Sequence, residues 1–423
     1  MSRFLPFLQG IWRRMPVSRS LRATIGPALW HVVTARGQAN LRRTSDPGGV
    51  VPGPLIISAC LSDITGIGRA GRLTVKAAEA WGIPFVAHDI PADPQALTVP
   101  KDLPPGGVWL VHCNPPEAAV VMSQDTDHLW ATRYRIGYWA YELQQLPRFW
   151  ARTIPFFHEI WTPSRFVAEA VERARGKAAT IVRVVPHPVA IELPPPVARE
   201  SGPLTFLVMF DARSSAARKN PLGAIRAFQQ AFAPDDAGVR LRIKITASWK
   251  DPRSIQTVRD AVAGWPNIEL RDEELSDAAM QQLLASADCL VSLHRAEGFG
   301  LPIAEAMLNG LPAIATDWSG NVDFTRGASY EVPYRLIPAA DSSGRYNGTG
   351  QSWADPDITA AAALMRQVRD DPAAREAVAE RGRQRVRALC SGLPREAVSA
   401  LIAPKAAAVA ELPASRAEKD QPA

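Results

Sequence analysis

Apolar positions along this chain fall into short continuous runs, separated by amphipathic stretches and turn residues. A run at 55–60 leads into a glycine loop, a helical stretch at about 69–81 and a second run at 84–88. Further runs at 107–114, 134–142, 158–164 and 179–189 continue the alternation. Runs of this length with no polar face read as strands covered by helices on both sides, the pattern of a parallel sheet. The stretch 190–203, "AIELPPPVARESGP", is a proline-rich hinge, and beyond it the pattern restarts. Strands are predicted at 204–210, 241–248, 288–293 and 313–316, with helices at 220–232, from Asp251, from the serine cap Ser276 and at 302–309. The expected fold is α/β: two doubly wound, Rossmann-like units facing across a cleft.

The segments are an N-terminal extension (1–48), a first unit (49–190), a hinge (191–203), a second unit (204–375), a helical segment packing back (376–403) and a disordered tail (404–423). A chain of 423 residues is long enough for two domains. Cys60, Cys113, Cys289 and Cys390 have no close spacing, which argues against a zinc site or disulfide framework and for buried thiols in the cytoplasm. No apolar run is long enough to span a membrane, and no secretory leader is visible. The net charge of +6 is uneven: residues 1–48 carry eight arginines and one acid, leaving about −1 for the rest. Those arginines alternate with Phe4, Ile11, Trp12 and Trp30, a composition that suits peripheral contact with a membrane surface as well as a locally packed arm. No nucleic-acid recognition fold surrounds them.

The stretch "HRAEGFGLPIAEAMLNG" (294–310) follows an apolar strand. Pro302 suits the start of a helix and Gly310 the position past its end. Glu297 then lies in the turn and Glu305 about one turn into the helix, both facing the crevice at the strand ends. The amides of Gly298, Phe299 and Gly300, with the helix N-terminus, favour an anion. Carboxylates accept pairs of hydroxyls. A nucleotide sugar has hydroxyls on either side of a diphosphate and fits both features. Glu305 alone also reads as a carboxylate complementing a helix dipole.

Arg218 and Lys219 in "RKNP" precede the 220–232 helix, where cations would neutralise a departing diphosphate. Gly66, Gly68 and Gly71 meet the G-x-G-x-x-G spacing, with Asp89 near the place of the expected acid, so a dinucleotide enzyme stays in view. His112 ends a predicted strand; substrate positioning and a structural hydrogen bond both fit it. Glu142 ends another and would contact an acceptor or brace the cleft. Trp139, Tyr141 and His187 read as structural, and Asp317 and Asn321 as shaping the donor loop. "DPD" at 355–357 reads as a helix cap, so no aspartate pair stands where an essential metal would need it.

The two-glutamate stretch resembles the E-x7-E signature of retaining, family-four type glycosyltransferases, which have the GT-B fold. "YWAYELQQLPRFW", "EIWTPSRFV", "FDARSSAARKNPLGAIRAF", "ATDWSGNVDF" and "SWADPD" are similar to segments of bacterial members that build polysaccharide or lipopolysaccharide. The resemblance covers about 55–390. It implies transfer of a sugar from a nucleoside diphosphate to a glycan or lipid-linked hydroxyl, in the cytoplasm or at the cytoplasmic face of the inner membrane. No metal or other cofactor is implied. The resemblance gives Lys219 the role of phosphate cation and makes Arg213 a second candidate, with a spacing close to the family's Arg–Lys pair. It sets His112 near the reacting sugar and the Gly66–Gly68 loop near phosphate and acceptor, with no nicotinamide. The alternatives are a GT-B epimerase or phosphorylase, and a catalytically inactive nucleotide-sugar scaffold held at membranes by the basic arm.

Overall fold

The computed structural model describes residues 50–402 apart from 51, 83, 92–102, 125–129, 131, 193–201, 342–345, 347–349 and 398, together with 32, 35 and 39. The expectations for the basic extension and the C-terminal tail lie outside the described residues.

Two six-stranded parallel sheets carry the fold. The first contains β1 (Leu55–Ala59), β2 (Phe85–Asp89), β3 (Val108–His112), β4 (Tyr134–Tyr138), β5 (Glu159–Thr162) and β6 (Ile181–Val184), in the order β2-β1-β3-β4-β5-β6. The second contains β7 (Leu204–Asp211), β8 (Val239–Thr246), β9 (Ile268–Asp272), β10 (Cys289–Ser292), β11 (Ala313–Thr316) and β12 (Tyr330–Val332), in the order β12-β11-β10-β7-β8-β9. Every residue of β1 and β3 is buried, as the uniformly apolar runs require. The edge strand β6 leaves Ile181 and Val184 exposed. A small antiparallel hairpin, β13 (Tyr334–Pro338) and β14 (Ser352–Pro356), was not legible as strands.

Several boundaries moved for local reasons. Helix α1 runs Gly66–Glu79, starting earlier than expected, because Thr65 caps it. The glycines read as loop are its first turn. A Cβ on Gly68 would lie 1.8 Å from the Asp63 carbonyl, so only glycine lets the preceding loop fold onto the helix. The run at 134–142 pairs only as far as Tyr138; the chain then leaves the sheet, and Glu142 stands on a loop. Helix α2 (Arg165–Arg175) is marked locally in the sequence: Ser164 caps it, and Val167, Ala170 and Val171 bury one face.

In the second half, helix α3 (Ala216–Lys219) and helix α4 (Pro221–Ala231) follow β7. Helix α5 (Asp277–Ala285) has the expected Ser276 cap. Helix α6 (Leu301–Leu308) starts at Gly300, where φ is +91°, with Pro302 in its first turn. Asp357 caps helix α7 (Ile358–Asp370), which places "DPD" where capping was expected. Helix α8 (Pro372–Leu389) packs on α6, and the chain after it returns to the first sheet, where Gly53 N donates to Leu401 O at 3.1 Å. No helix among the described residues is long and apolar enough to cross a membrane.

Candidate active site

The second sheet reverses its strand order between β7 and β10, and the loops leaving those strands meet over the carboxyl ends. After β7 the backbone turns sharply through Ser215 (φ +72°) and Asn220 (φ +52°). Asn220 caps α4 and also donates to Leu293 O at 2.9 Å, and Arg295 N donates to Arg218 O at 2.7 Å. These bonds stitch the two loops together. Lys219 Nζ then lies 2.5 Å from Glu297 Oε1, and Arg218 Nη1 lies 3.3 Å from Oε2. Glu297 is buried. Burial alone would raise its pKa, but the charges of Lys219 and Arg218 override it and hold the carboxyl at about 2.

Arg218 differs from the expectation. Its guanidinium is buried and already committed: it donates to Ala296 O (2.7 Å) and Ser214 O (3.2 Å), and sits 3.6 Å from Glu142 Oε1. The Tyr346 ring lies 5.6 Å away. Burial would lower its pKa, but the neighbouring Tyr346, Glu297 and Glu142 raise it instead. Arg218 therefore organises two carboxylates and is not a free cation for a diphosphate. Arg213 also differs, because its fork closes on Asp211 at 2.7 and 2.9 Å. Lys219 has the more exposed charge, 15% against 3% for Arg218.

The glycine turn is held from three sides. Glu297 N donates to Ser319 Oγ (2.8 Å), Gly320 N to Glu297 O (2.9 Å), and Ser164 Oγ to Gly298 O (2.6 Å). The Ser164 bond comes from the first half of the molecule. The amides of Gly298, Phe299 and Gly300 donate to no protein acceptor among the described residues. The Phe299 side chain is core, against His187 and Phe324 at 5.0 Å each. Asn321 braces the turn from beneath: its amide donates to Thr316 O at 3.0 Å, and its oxygen accepts from His294 Nε2 at 2.9 Å. Asp317 is turned away onto Arg326.

Glu305 sits in α6 with its Oε1 2.9 Å from Arg69 Nε. Burial raises its pKa and Arg69 only partly offsets the effect. Arg69, three residues after Gly66, was not singled out in the sequence; it lies on α1, in the other half.

The first sheet reverses between β1 and β3. His112 ends β3, as predicted, but it is buried in an aromatic stack. Thr74 Oγ1 lies 2.7 Å from its Nδ1, and the Tyr138 and His187 rings lie 4.1 and 5.4 Å away. Tyr138 gives its only hydrogen to Val185 O (2.6 Å), so His187 Nδ1 donates to the Tyr138 oxygen at 3.1 Å. Burial lowers the pKa of both imidazoles, that of His187 to about 3. Asp89, the acid a dinucleotide would need, is spent on Leu61 N (2.7 Å) and Ser62 N (3.2 Å). Gly68 serves the close approach of the loop to α1, whereas a Cβ on Gly66 would meet nothing within 4 Å. Among the described residues, no three His, Cys, Asp or Glu side chains gather as a metal site requires.

Residues 205–344 match the family described as Glycosyl transferases group 1. A Sulfolobus islandicus filamentous virus protein that bears the name "Putative glycosyltransferase 48" is 25% identical over 138 residues, 33% of this chain. The match spans 43% of that relative's length. Among solved structures, sucrose-phosphate synthase of Thermosynechococcus elongatus superposes with a TM-score of 0.57 at 16% identity, covering 82% of this chain and 96% of that one. A Rickettsia africae glycosyltransferase gives 0.57 at 12% identity, with 81% and 94% covered. Anabaena HepE, solved with UDP and glucose, gives 0.55 at 11%, with 80% and 95% covered. The fold is GT-B, as the motifs implied.

Proposed function

We propose that this GT-B protein is a retaining glycosyltransferase that moves a sugar from a nucleoside diphosphate to a hydroxyl of a glycan or lipid-linked glycan. The observation that carries the reading is the meeting of Lys219 and Glu297 at the switch point of the second sheet, beside three amides with no protein acceptor among the described residues. The family match over 205–344 contains this whole constellation.

In this reading the diphosphate lies on the amides of Gly298, Phe299 and Gly300, with Lys219 as counter-charge. Glu297 accepts sugar hydroxyls and Glu305 the ribose diol. Arg218 keeps Glu297 charged and ties Glu142 to it across the cleft. The bond from the anomeric carbon to the diphosphate oxygen breaks. The acceptor oxygen bonds to the same face of that carbon, and its proton passes to the departing phosphate oxygen. Lys219 takes over the work that a metal would otherwise do, so turnover is expected to survive chelators. The buried His112 packs beneath the sugar's place on the first sheet, and the first turn of α1, with Gly66 and Gly68, faces the acceptor. Cell-surface polysaccharide synthesis at the inner membrane's cytoplasmic face is the setting that the resemblance implies.

HepE was solved with UDP and glucose, so uridine diphosphate sugars are the first donors to test. A thermal-shift panel of UDP, GDP, ADP and dTDP sugars should pick out one series. A ligand at 100 times its dissociation constant stabilises by about 2.7 kcal/mol. Glu305→Ala should lose the shift, and the selected donor should release nucleoside diphosphate faster with acceptor present. Binding without turnover would favour the scaffold reading. Turnover indifferent to acceptor would favour an epimerase.

A further inference from the structure

We propose that Arg69 is a positioning residue that holds Glu305 for the nucleotide ribose, so that the donor site on the second sheet is completed by a side chain from the first half. The proposal rests on the nucleotide-sugar reading above and adds to it a residue and a dependence between the two halves.

The geometry is specific. The three nitrogens of the Arg69 fork go to three carboxylates on three elements. Nε donates to Glu305 on α6 at 2.9 Å, Nη2 to Glu192 in the hinge at 2.9 Å, and Nη1 to Asp277 on α5 at 3.3 Å. Arg69 and Glu305 are each only 13% exposed. A planar fork shared in this way fixes the guanidinium, and the guanidinium fixes the rotation of the Glu305 carboxylate. Only Oε1 of Glu305 is taken; Oε2 receives no protein donor among the described residues. A carboxylate with one oxygen clamped and the other open is ready to accept from a hydroxyl.

Charge points the same way. The groups around Glu305 are Arg69 and Arg72 from α1 and Asp277 from α5, with Glu192 beyond Arg69. From the other side, α8 presents Gly382 and Val386, and the buried Cys390 thiol just past its end is neutral, its pKa pushed up to about 12. Arg69 is thus the close cation opposing the burial that pushes Glu305 toward its neutral form. A protonated carboxyl would lose acceptor capacity where the ribose diol needs it.

The test is calorimetric binding of UDP and 2′,3′-dideoxy-UDP, with GDP, ADP and dTDP in parallel, to the full chain and its variants. Arg69→Gln should weaken UDP roughly tenfold, the loss expected for a bond to a charged group. Raising the pH should recover part of that loss, because it favours the charged form of Glu305 against its burial. Dideoxy-UDP should bind wild type and Arg69→Gln alike. Arg69→Lys, which keeps the charge without the fork, should fall between, and it serves if the glutamine variant does not fold. Lys76→Gln removes a neighbouring bond to Glu192 on the same helix and should change nothing. Equal loss of UDP and dideoxy-UDP would reduce Arg69 to packing between the halves. Tighter UDP binding would make it a competitor for Glu305. Either result overturns the proposal. Failure of every nucleotide to bind wild type would instead sink the donor reading itself.

Discussion

The two crevices at the strand ends are built from opposite materials. That of the second sheet is ionic, with the half-buried Lys219 and the buried Arg218 both paired to the buried Glu297. That of the first sheet is aromatic and neutral, with His112, Tyr138 and His187 stacked and both imidazoles held uncharged by burial. The difference fits a division of labour. A diphosphate needs preorganised charge, and a neutral hydroxyl acceptor needs a shaped, polar but uncharged wall. In the proposed function one fold would supply both, since both crevices sit at the switch points of their sheets.

The largest way to break the contrast is Lys219→Ala. Turnover should fall about 10²–10³-fold, near 3–4 kcal/mol of transition-state stabilisation, with the protein still folded because Arg218 continues to neutralise Glu297. Steady-state kinetics on the selected donor measures this; a loss under tenfold would leave the ionic crevice without its assigned role. Gly320→Ala comes next. Its Cβ would lie 2.1 Å from the Gly298 carbonyl, so the glycine turn must shift, at a cost of roughly 1–3 kcal/mol in denaturant unfolding.

Acid should then separate the crevices. His187 has a folded pKa of about 3 against 6.5 unfolded, so the unfolded chain binds the extra proton between those values. Its contribution to stability is complete above pH 6.5 and is lost as pH falls toward 3. The slope is up to about 1.4 kcal/mol per pH unit. Glu297 has a folded pKa of about 2 against 4.5, so its contribution stays whole down to about 4.5 and is lost below that. Unfolding measured at pH 7, 5.5 and 4.5 should therefore report the buried histidines His112, His158, His187 and His294 and not Glu297, and His187→Phe should reduce the slope over that range. An unchanged slope in that variant would remove the histidine from the account. The smallest effect is the control: Arg335→Ala breaks an exposed pair with Asp355 and should stay within about 0.5 kcal/mol.

The ionic crevice was the more legible of the two. Glu297, Lys219 and the glycine turn could be named in advance, because glycine, proline and charge at fixed offsets have local causes. Arg218 is legible as a cation of this loop, and the structure turns its guanidinium onto Glu297 and Glu142. Its neighbour Lys219 carries the same formal charge, and nothing local says which of the two turns inward. The aromatic crevice was legible only at its edges: His112 was placed at a strand end, but its stacking partners come from β4 and from the segment after β6. Ser164 and Arg69 went unremarked as site residues. Each acts on a group in the other half, 134 and 236 positions away in the chain.

The alternation of uniformly apolar runs with amphipathic stretches was enough to foresee two parallel sheets, because a strand covered on both faces has no polar positions and each crossover helix shows one apolar face. Caps at Thr65, Ser276 and Asp357 and the glycine at 300 were likewise written in short stretches of chain, since a helix end is satisfied by residues within a turn of it. Which charge meets which was decided only when the halves came together. Ion pairing depends on distance in space and on exclusion of water, and neither follows from order along the chain. Glu297 and Glu305 are eight residues apart and look alike in the sequence; packing left one held far below its usual range by cations of its own half, and the other raised by burial and steadied by an arginine from across the cleft.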